Sequence, residues 1–149
     1  QPCALVPILC GSFAHFVRGE SNPEHDPTIN AVLNALRQAT AGRQVLVVAA
    51  ADLAHVGPAF SGQPVGLVER ARLQAADDEL MERICAGDAE GFFTAIQREG
   101  DRYNICGLPP IYLALRLLQP VRGEKVAYLR CPADEQGTSL VSVCGIVFR

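Results

Sequence analysis

The hydrophobic positions of this chain form two kinds of segment, short continuous runs and longer stretches with helical spacing. Residues 4–10 (ALVPILC) and 45–50 (VLVVAA) are continuous runs that predict strands. The second is apolar and rich in β-branched residues, as in a central strand covered on both faces. Two later runs, 125–131 and 139–148, are separated by turn-forming residues, which predicts an antiparallel pair.

The longer stretches predict four helices. Residues 28–39 carry apolar side chains at spacings of three and four, and a second helix is expected over about 67–86. Asp88 is a predicted cap for the third helix, and Pro109 with its neighbouring proline opens a fourth over 111–118. The resulting β-α-β-α-α-α-β-β order predicts an α/β layered domain with a mixed central sheet flanked by helices.

Composition narrows the function classes. With 149 residues, 49% of them hydrophobic and 19% charged, the chain is long enough for one packed domain. The net charge of −3 and the absence of a basic cluster argue against nucleic-acid binding. The apolar runs are too short to span a membrane, and no signal peptide is recognisable, so we expect a cytoplasmic protein.

The cysteines are scattered and form no CxxC pair, which argues against both a disulfide scaffold and a zinc ribbon. We expect reduced thiols that are for the most part buried in the core. The six are Cys3, Cys10, Cys85, Cys106, Cys131 and Cys144.

Asp52 and His55 follow directly on the predicted strand over 45–50, at the kind of position where open α/β sheets bind ligands. A carboxylate beside an imidazole fixes its tautomer and raises its basicity, which serves proton transfer or metal binding. The alternative interpretation is that Asp52 caps a short helical turn and His55 is merely nearby.

Cys106 lies in a loop just before a predicted helix amino terminus, where exposed N–H groups favour the thiolate as nucleophile or metal ligand. The alternative is a buried structural cysteine. Among other polar residues, His15 could be packed or functional, and His25 is expected in solvated loop. Arg102 and Asn104 could bind an anionic substrate, but loop polarity explains them equally well.

Three segments in this order resemble the Memo family. They are VLVVAAADLAHVG at 45–57, NICGLPPI at 104–111 and TSLVSVCG at 138–145. The likeness is to the bacterial branch, found beside a radical-SAM protein and an AMMECR1-like protein, which are therefore the partners it implies. It also implies a fold like that of class III extradiol ring-opening dioxygenases, of which this chain would be the C-terminal half, with the N-terminal half absent.

By this resemblance Cys106 and His55 are metal ligands, His55 also serves as acid/base, and Asp52 orients it. Iron or copper is the implied metal, in an oxidoreductase that acts on a small molecule or peptide when full length. Leu108 and Pro109 replace the Arg-His of eukaryotic members, so contacts inferred from that branch do not transfer. The alternative function is a non-catalytic module that binds a peptide or protein in the same pocket. A free sheet edge would also allow a homodimer.

Overall fold

Five α-helices, one short 3₁₀ helix at Pro58–Phe60 and three strands form the regular structure of residues 4–149, the part of the chain that the computed structural model describes. Each of the four helices predicted from the sequence is confirmed, and a fifth, very short helix precedes them. The helices are Ala14–Val17 (α1), Pro27–Thr40 (α2), Leu67–Cys85 (α3), Ala89–Arg98 (α4) and Leu108–Leu118 (α5), and the strands are His55–Val56 (β1), Gly123–Pro132 (β2) and Leu140–Phe148 (β3).

Local capping explains where the helices begin. The Asp26 side chain accepts a hydrogen bond from the backbone N–H of Ile29 at 2.9 Å, which caps α2. The predicted cap at Asp88 is confirmed, because its carboxylate accepts from Gly91 N–H at 2.8 Å at the start of α4. Such caps satisfy amide groups that have no partner inside the helix.

The sheet is small and antiparallel, with the order β1-β3-β2. The predicted C-terminal pair is confirmed, since β2 and β3 pair from Gly123↔Phe148 to Pro132↔Leu140. On the other side of β3, the two-residue β1 places His55 opposite Val141. The α/β class is therefore confirmed, whereas the described residues form an antiparallel sheet rather than the expected mixed one.

The two predicted N-terminal strands are wrong. Residues 4–10 and 45–50 form no strand, and large apolar side chains in both are exposed, with Leu9 at 100% and Leu46 at 87%. A strand is stabilised by hydrogen bonds to a neighbour, and no described segment pairs with either run. The β-type composition of these runs is therefore not enough by itself to make them form strands.

The hydrophobic core lies between the helices and one face of the sheet. Tyr112 of α5 is fully buried, with the rings of Phe13 and Phe93 packed edge-on at 5.6 and 6.0 Å. Helix α3 packs on both β2 and β3, and it covers β3 more fully, because only Gly123 and Tyr128 of β2 are partly buried. No helix among the described residues is long and apolar enough to cross a membrane.

Candidate metal site

Two loops meet beside β1 and are joined by backbone and side-chain hydrogen bonds. The N–H of His55 donates to the Tyr103 carbonyl at 2.8 Å, and the Asn104 side-chain amide donates to the His55 carbonyl at 3.0 Å. A third bond runs from Gly107 N–H to the Asp52 carbonyl at 2.9 Å. These bonds fix the segment 52–55 against the segment 103–107.

The close approach of the loops depends on Gly107. A methyl group there would overlap the Asp52 carbonyl oxygen and lie 2.8 Å from the Ile111 side chain and 3.3 Å from Ala51. Only a residue without a Cβ fits at this point. Asn104 bends the same loop through the left-handed region, at φ 50°, which asparagine tolerates better than most residues.

Burial alternates along the second loop and determines which side chains face outward. Tyr103, Ile105 and Gly107 are buried, whereas Asn104 and Cys106 between them are exposed. The apolar anchors therefore hold the Cys106 thiol at the surface of the loop, where it donates to the Asp52 carbonyl at 3.6 Å.

Strand β3 fixes the first loop from the other side. Ser142 exchanges two backbone hydrogen bonds with it, accepting from Leu53 N–H at 2.9 Å and donating to the Ala54 carbonyl at 3.0 Å. Its side-chain oxygen also accepts from Ala54 N–H at 2.9 Å. The turn that carries Asp52 and His55 is thus held by three bonds to a single residue.

Asp52, His55 and Cys106, the three site residues predicted from the sequence, lie together. Each offers one potential ligand atom, and these atoms all lie within 4.8 Å of one another. His55 Nε2 is 3.6 Å from an Asp52 carboxylate oxygen. The His55 side chain is 20% exposed and that of Asp52 is 46% exposed, so the cluster is supported by protein on one side and open on the other.

The His55 ring is oriented by its other nitrogen. Nδ1 lies 3.2 Å from the Asn104 carbonyl oxygen, which can only accept, so the proton belongs on Nδ1. Nε2 lies 3.6 Å from the Asp52 carboxylate, beyond hydrogen-bond range, and is the ring nitrogen that a metal ion could reach. Phe60 packs edge-on against the ring at 5.1 Å and limits its rotation.

The remaining candidates lie outside the cluster. His15 packs on Phe16 with ring centroids 3.8 Å apart, and the His25 side chain is 77% exposed, as expected for solvated loop. Arg102 forms an ion pair with Glu69 at 2.9 Å. Asn104 does take part in the site, where it joins the two loops through its side chain.

The five cysteines within the described residues are all free, and none is fully buried, so the expectation of largely buried thiols is wrong. Cys106 and Cys131 are exposed, and the other three are partly buried. Burial raises the pKa of Cys144 to about 11, which keeps this thiol protonated. Cys3 lies outside the described residues.

Sequence reasoning missed two serines that hold the site. Ser142 and Ser139 are both fully buried, and Ser139 accepts from Ala59 N–H at 2.9 Å in the turn after β1. The signal that could have found Ser142 is its position two residues after Leu140, on the same buried face of the last strand, whereas Ser139 precedes the strand and gives no such signal. Polar side chains at inward-facing positions of a strand need internal partners.

The sequence that forms this site matches a known protein family. The family model described as Memo-like protein matches residues 21–146. The chain belongs to the Memo-like family. The match includes Asp52, His55 and Cys106, together with all three segments in which the resemblance was recognised. No curated protein and no solved structure matches this Memo-like chain.

Proposed function

We propose that this Memo-like protein binds a transition-metal ion through Asp52, His55 and Cys106 and acts as a metal-dependent oxidoreductase. The observation that supports it is the convergence of three different donor atoms within 4.8 Å. Ligands at about 2.0–2.3 Å from one tetrahedral ion lie about 3–4 Å from each other. Side-chain shifts of roughly 1 Å would therefore bring the three donors to a common ion.

The donor set favours some metals over others. Imidazole and thiolate ligands suit iron, copper and zinc, whereas calcium and magnesium take oxygen ligands. Iron or copper is the choice that fits an oxidative reaction of the kind known for the ring-opening dioxygenases that the family resembles. Once bound, such an ion would supply redox and Lewis-acid chemistry at the open face of the cluster.

The chain's own groups divide the remaining work. Asn104 holds the His55 ring through Nδ1, so Nε2 is free to act as ligand or proton acceptor. With Asp52 and His55 Nε2 both engaged as ligands, the second carboxylate oxygen of the half-exposed Asp52 is the remaining proton acceptor. Without a bound ion, His55 and Asp52 form the proton-transfer pair. Cys106 is exposed, so a substrate can reach the ligand side of the loop.

Protection of a single thiol tests the metal site. Zn(II), Co(II) or Cu(I) is added to the reduced protein, and alkylation of Cys106 and Cys131 is followed by mass spectrometry. Both thiols are exposed, so Cys131 is a matched internal control. We expect one equivalent of metal to protect Cys106 alone, with Cys131→Ser binding normally and His55→Ala binding at least roughly tenfold more weakly. Equal protection of both thiols, or of neither, would overturn the proposal.

The oxidative activity and the partners rest on the family resemblance. We propose that the protein acts on a small molecule or peptide together with a radical-SAM protein and an AMMECR1-like protein. Oxygen uptake by iron- or copper-loaded protein with catechols tests the dioxygenase relationship, with Cys106→Ser as control. If the pocket only binds a partner, co-purification with those two proteins persists in His55→Ala and Cys106→Ser, and no metal-dependent uptake is found.

A further inference from the structure

The chain exposes more surface than is usual for a folded monomer of its mass. Its accessible surface is 9281 Å² for 16.0 kDa, whereas a monomer of that mass typically exposes about 7,400 Å². The difference of roughly 1,900 Å² exceeds the roughly 800 Å² that each partner buries in a standard stable interface. It lies in the range of about 1,000–2,500 Å² per partner that obligate homodimers bury. The exposed area is therefore sufficient for a stable dimer.

Part of this surface is the apolar run over residues 45–50, which connects α2 to the Asp52–His55 turn. Leu46 is 87% exposed and Val48 is 71% exposed, and only Val47 in this run is partly buried. Single exposed apolar residues are ordinary, whereas a contiguous apolar segment marks an interaction surface. No described segment forms a backbone hydrogen bond with this run, so its N–H and C=O groups are available to a strand of another chain.

Two other segments are less suited to pairing with another chain. The run over 4–10 contains Pro7, which has no N–H to donate and is disfavoured inside a paired strand. Strand β2 has a free edge, but it carries Lys125 and Arg130, and its register with β3 shifts after Lys125. Charged residues, prolines and bulges protect an edge strand from pairing with another chain. Residues 45–50 contain no charged residue and no proline.

We propose that residues 45–50 pair antiparallel with the same residues of a second copy of this chain, across a twofold axis. When Val47 lies opposite Val48 of the second copy, Arg43 lies opposite Asp52. The twofold axis repeats this pair, so opposite charges face each other at both ends of the apolar ladder. Any other antiparallel register separates Arg43 from Asp52 and loses both pairs. The charges therefore select one register.

The two charged residues are accessible in the single chain. Arg43 is exposed, and the Asp52 side chain is 46% exposed, so neither has to leave the interior to form the contact. The dimer does not rest on the function proposed above, although Asp52 belongs to both. For this reason the test is carried out on metal-free protein, and Asp52 itself is left unchanged.

Leu46→Lys tests the pairing by sedimentation equilibrium over about 1–100 µM protein, where a micromolar dissociation constant is measurable. A reducing buffer prevents disulfides between copies through the exposed Cys106 and Cys131. Leu67→Lys is the matched control, because Leu67 of α3 is 86% exposed and Leu46 is 87% exposed. Both leucines face solvent in the single chain, so circular dichroism should show the same fold for each variant.

We expect wild type and Leu67→Lys to form dimers of twice 16.0 kDa. Leu46→Lys should dimerise at least roughly hundredfold more weakly, because the twofold axis repeats the loss of a buried leucine. A monomer over the whole concentration range would overturn the proposal, and so would species that grow beyond the dimer, because a twofold contact closes. A dimer that resists Leu46→Lys but is lost in Leu129→Lys would assign the contact to β2 and refute the role of residues 45–50.

Arg43→Glu tests the register, with Arg122→Glu as control because Arg122 is also exposed. Arg43→Glu places like charges opposite Asp52 twice, so at low salt it should weaken the dimer roughly tenfold more than the control, and added salt should reduce the difference. Equal effects of the two variants would refute this register. Dimerisation of metal-free protein decides this proposal and protection of Cys106 by metal decides the proposed function, so either can fail alone.

Discussion

Replacing Gly107 by alanine should separate the two loops that form the site. The glycine has an ordinary φ of −72°, so the new side chain meets no backbone strain. It does meet the Asp52 carbonyl oxygen, which would have to move away. Gly66 is the matched control, since it occupies the same N-cap position before α3 and a methyl group there meets nothing within 4 Å.

The expected loss of stability is estimated from the two effects that Gly107→Ala has and Gly66→Ala lacks. Loss of the hydrogen bond from Gly107 N–H to the Asp52 carbonyl costs about 0.5–1.5 kcal/mol. Forcing a methyl group into a filled site costs about 1–3 kcal/mol more. Gly107→Ala should therefore lose roughly 2–4 kcal/mol of unfolding free energy beyond Gly66→Ala, or about 8 °C in Tm for a domain of this size.

Urea denaturation followed by circular dichroism measures this difference directly, and zinc protection of Cys106 reports on the site in the same samples. Gly107→Ala should lower the urea midpoint and weaken the protection, while Gly66→Ala keeps the protection intact. Equal midpoints for the two variants would refute the argument that this glycine is required for the approach of the loops.

Three other measurements address neighbouring features. Asn104→Gly should lower the free energy of unfolding by about 1 kcal/mol, because the side-chain bond to the His55 carbonyl is lost. Asn104→Ala should lower it by about 1 kcal/mol more, because residue 104 has a positive φ. A denaturation experiment in which the alanine variant is more stable than the glycine variant would contradict this. Burial raises the pKa of Asp77 above its unfolded value, so the contribution of this group to the free energy of unfolding falls as pH rises above about 4. The stability of Asp77→Asn should therefore increase relative to wild type between about pH 4 and pH 7. A difference in urea midpoints that stays constant over this range would contradict the prediction. Cys144, with a pKa raised by burial to about 11, should be thiolate only to about one part in a thousand at about pH 8. It should therefore be alkylated much more slowly than exposed Cys131, and comparable alkylation rates would refute its burial.

The helices and the C-terminal hairpin could be predicted because their determinants are local. Spacing of apolar side chains, the Asp88 cap and the prolines before α5 all act within a few residues. Strand formation over 4–10 and 45–50 could not be judged in the same way. A strand forms only when another segment pairs with it, and the sequence pattern of a run shows its tendency to be extended but not whether a pairing segment is present.

The site was predictable only in part for a related reason. The spacing of Asp52 and His55 pointed to chemistry, but nothing local brings Cys106 near them, and that expectation came from the family resemblance. The supporting roles of Asn104 and Ser142 depend on contacts between segments about 50 to 90 residues apart. Such contacts are set by tertiary packing, which single-residue propensity does not encode.

The attachment of the Asp52–His55 turn to β3 has a consequence for the order of events during synthesis. The ribosome delivers the chain from its amino end, so Asp52, His55 and Cys106 have all been made before Ser142 follows. Until β3 emerges, the turn lacks its three bonds to Ser142 and can be held only by its bonds to residues 103–107. A nascent chain that stops before residue 140 therefore carries every side chain of the proposed metal site but lacks the strand that holds the Asp52–His55 turn, so we expect any metal loading to follow completion of that strand.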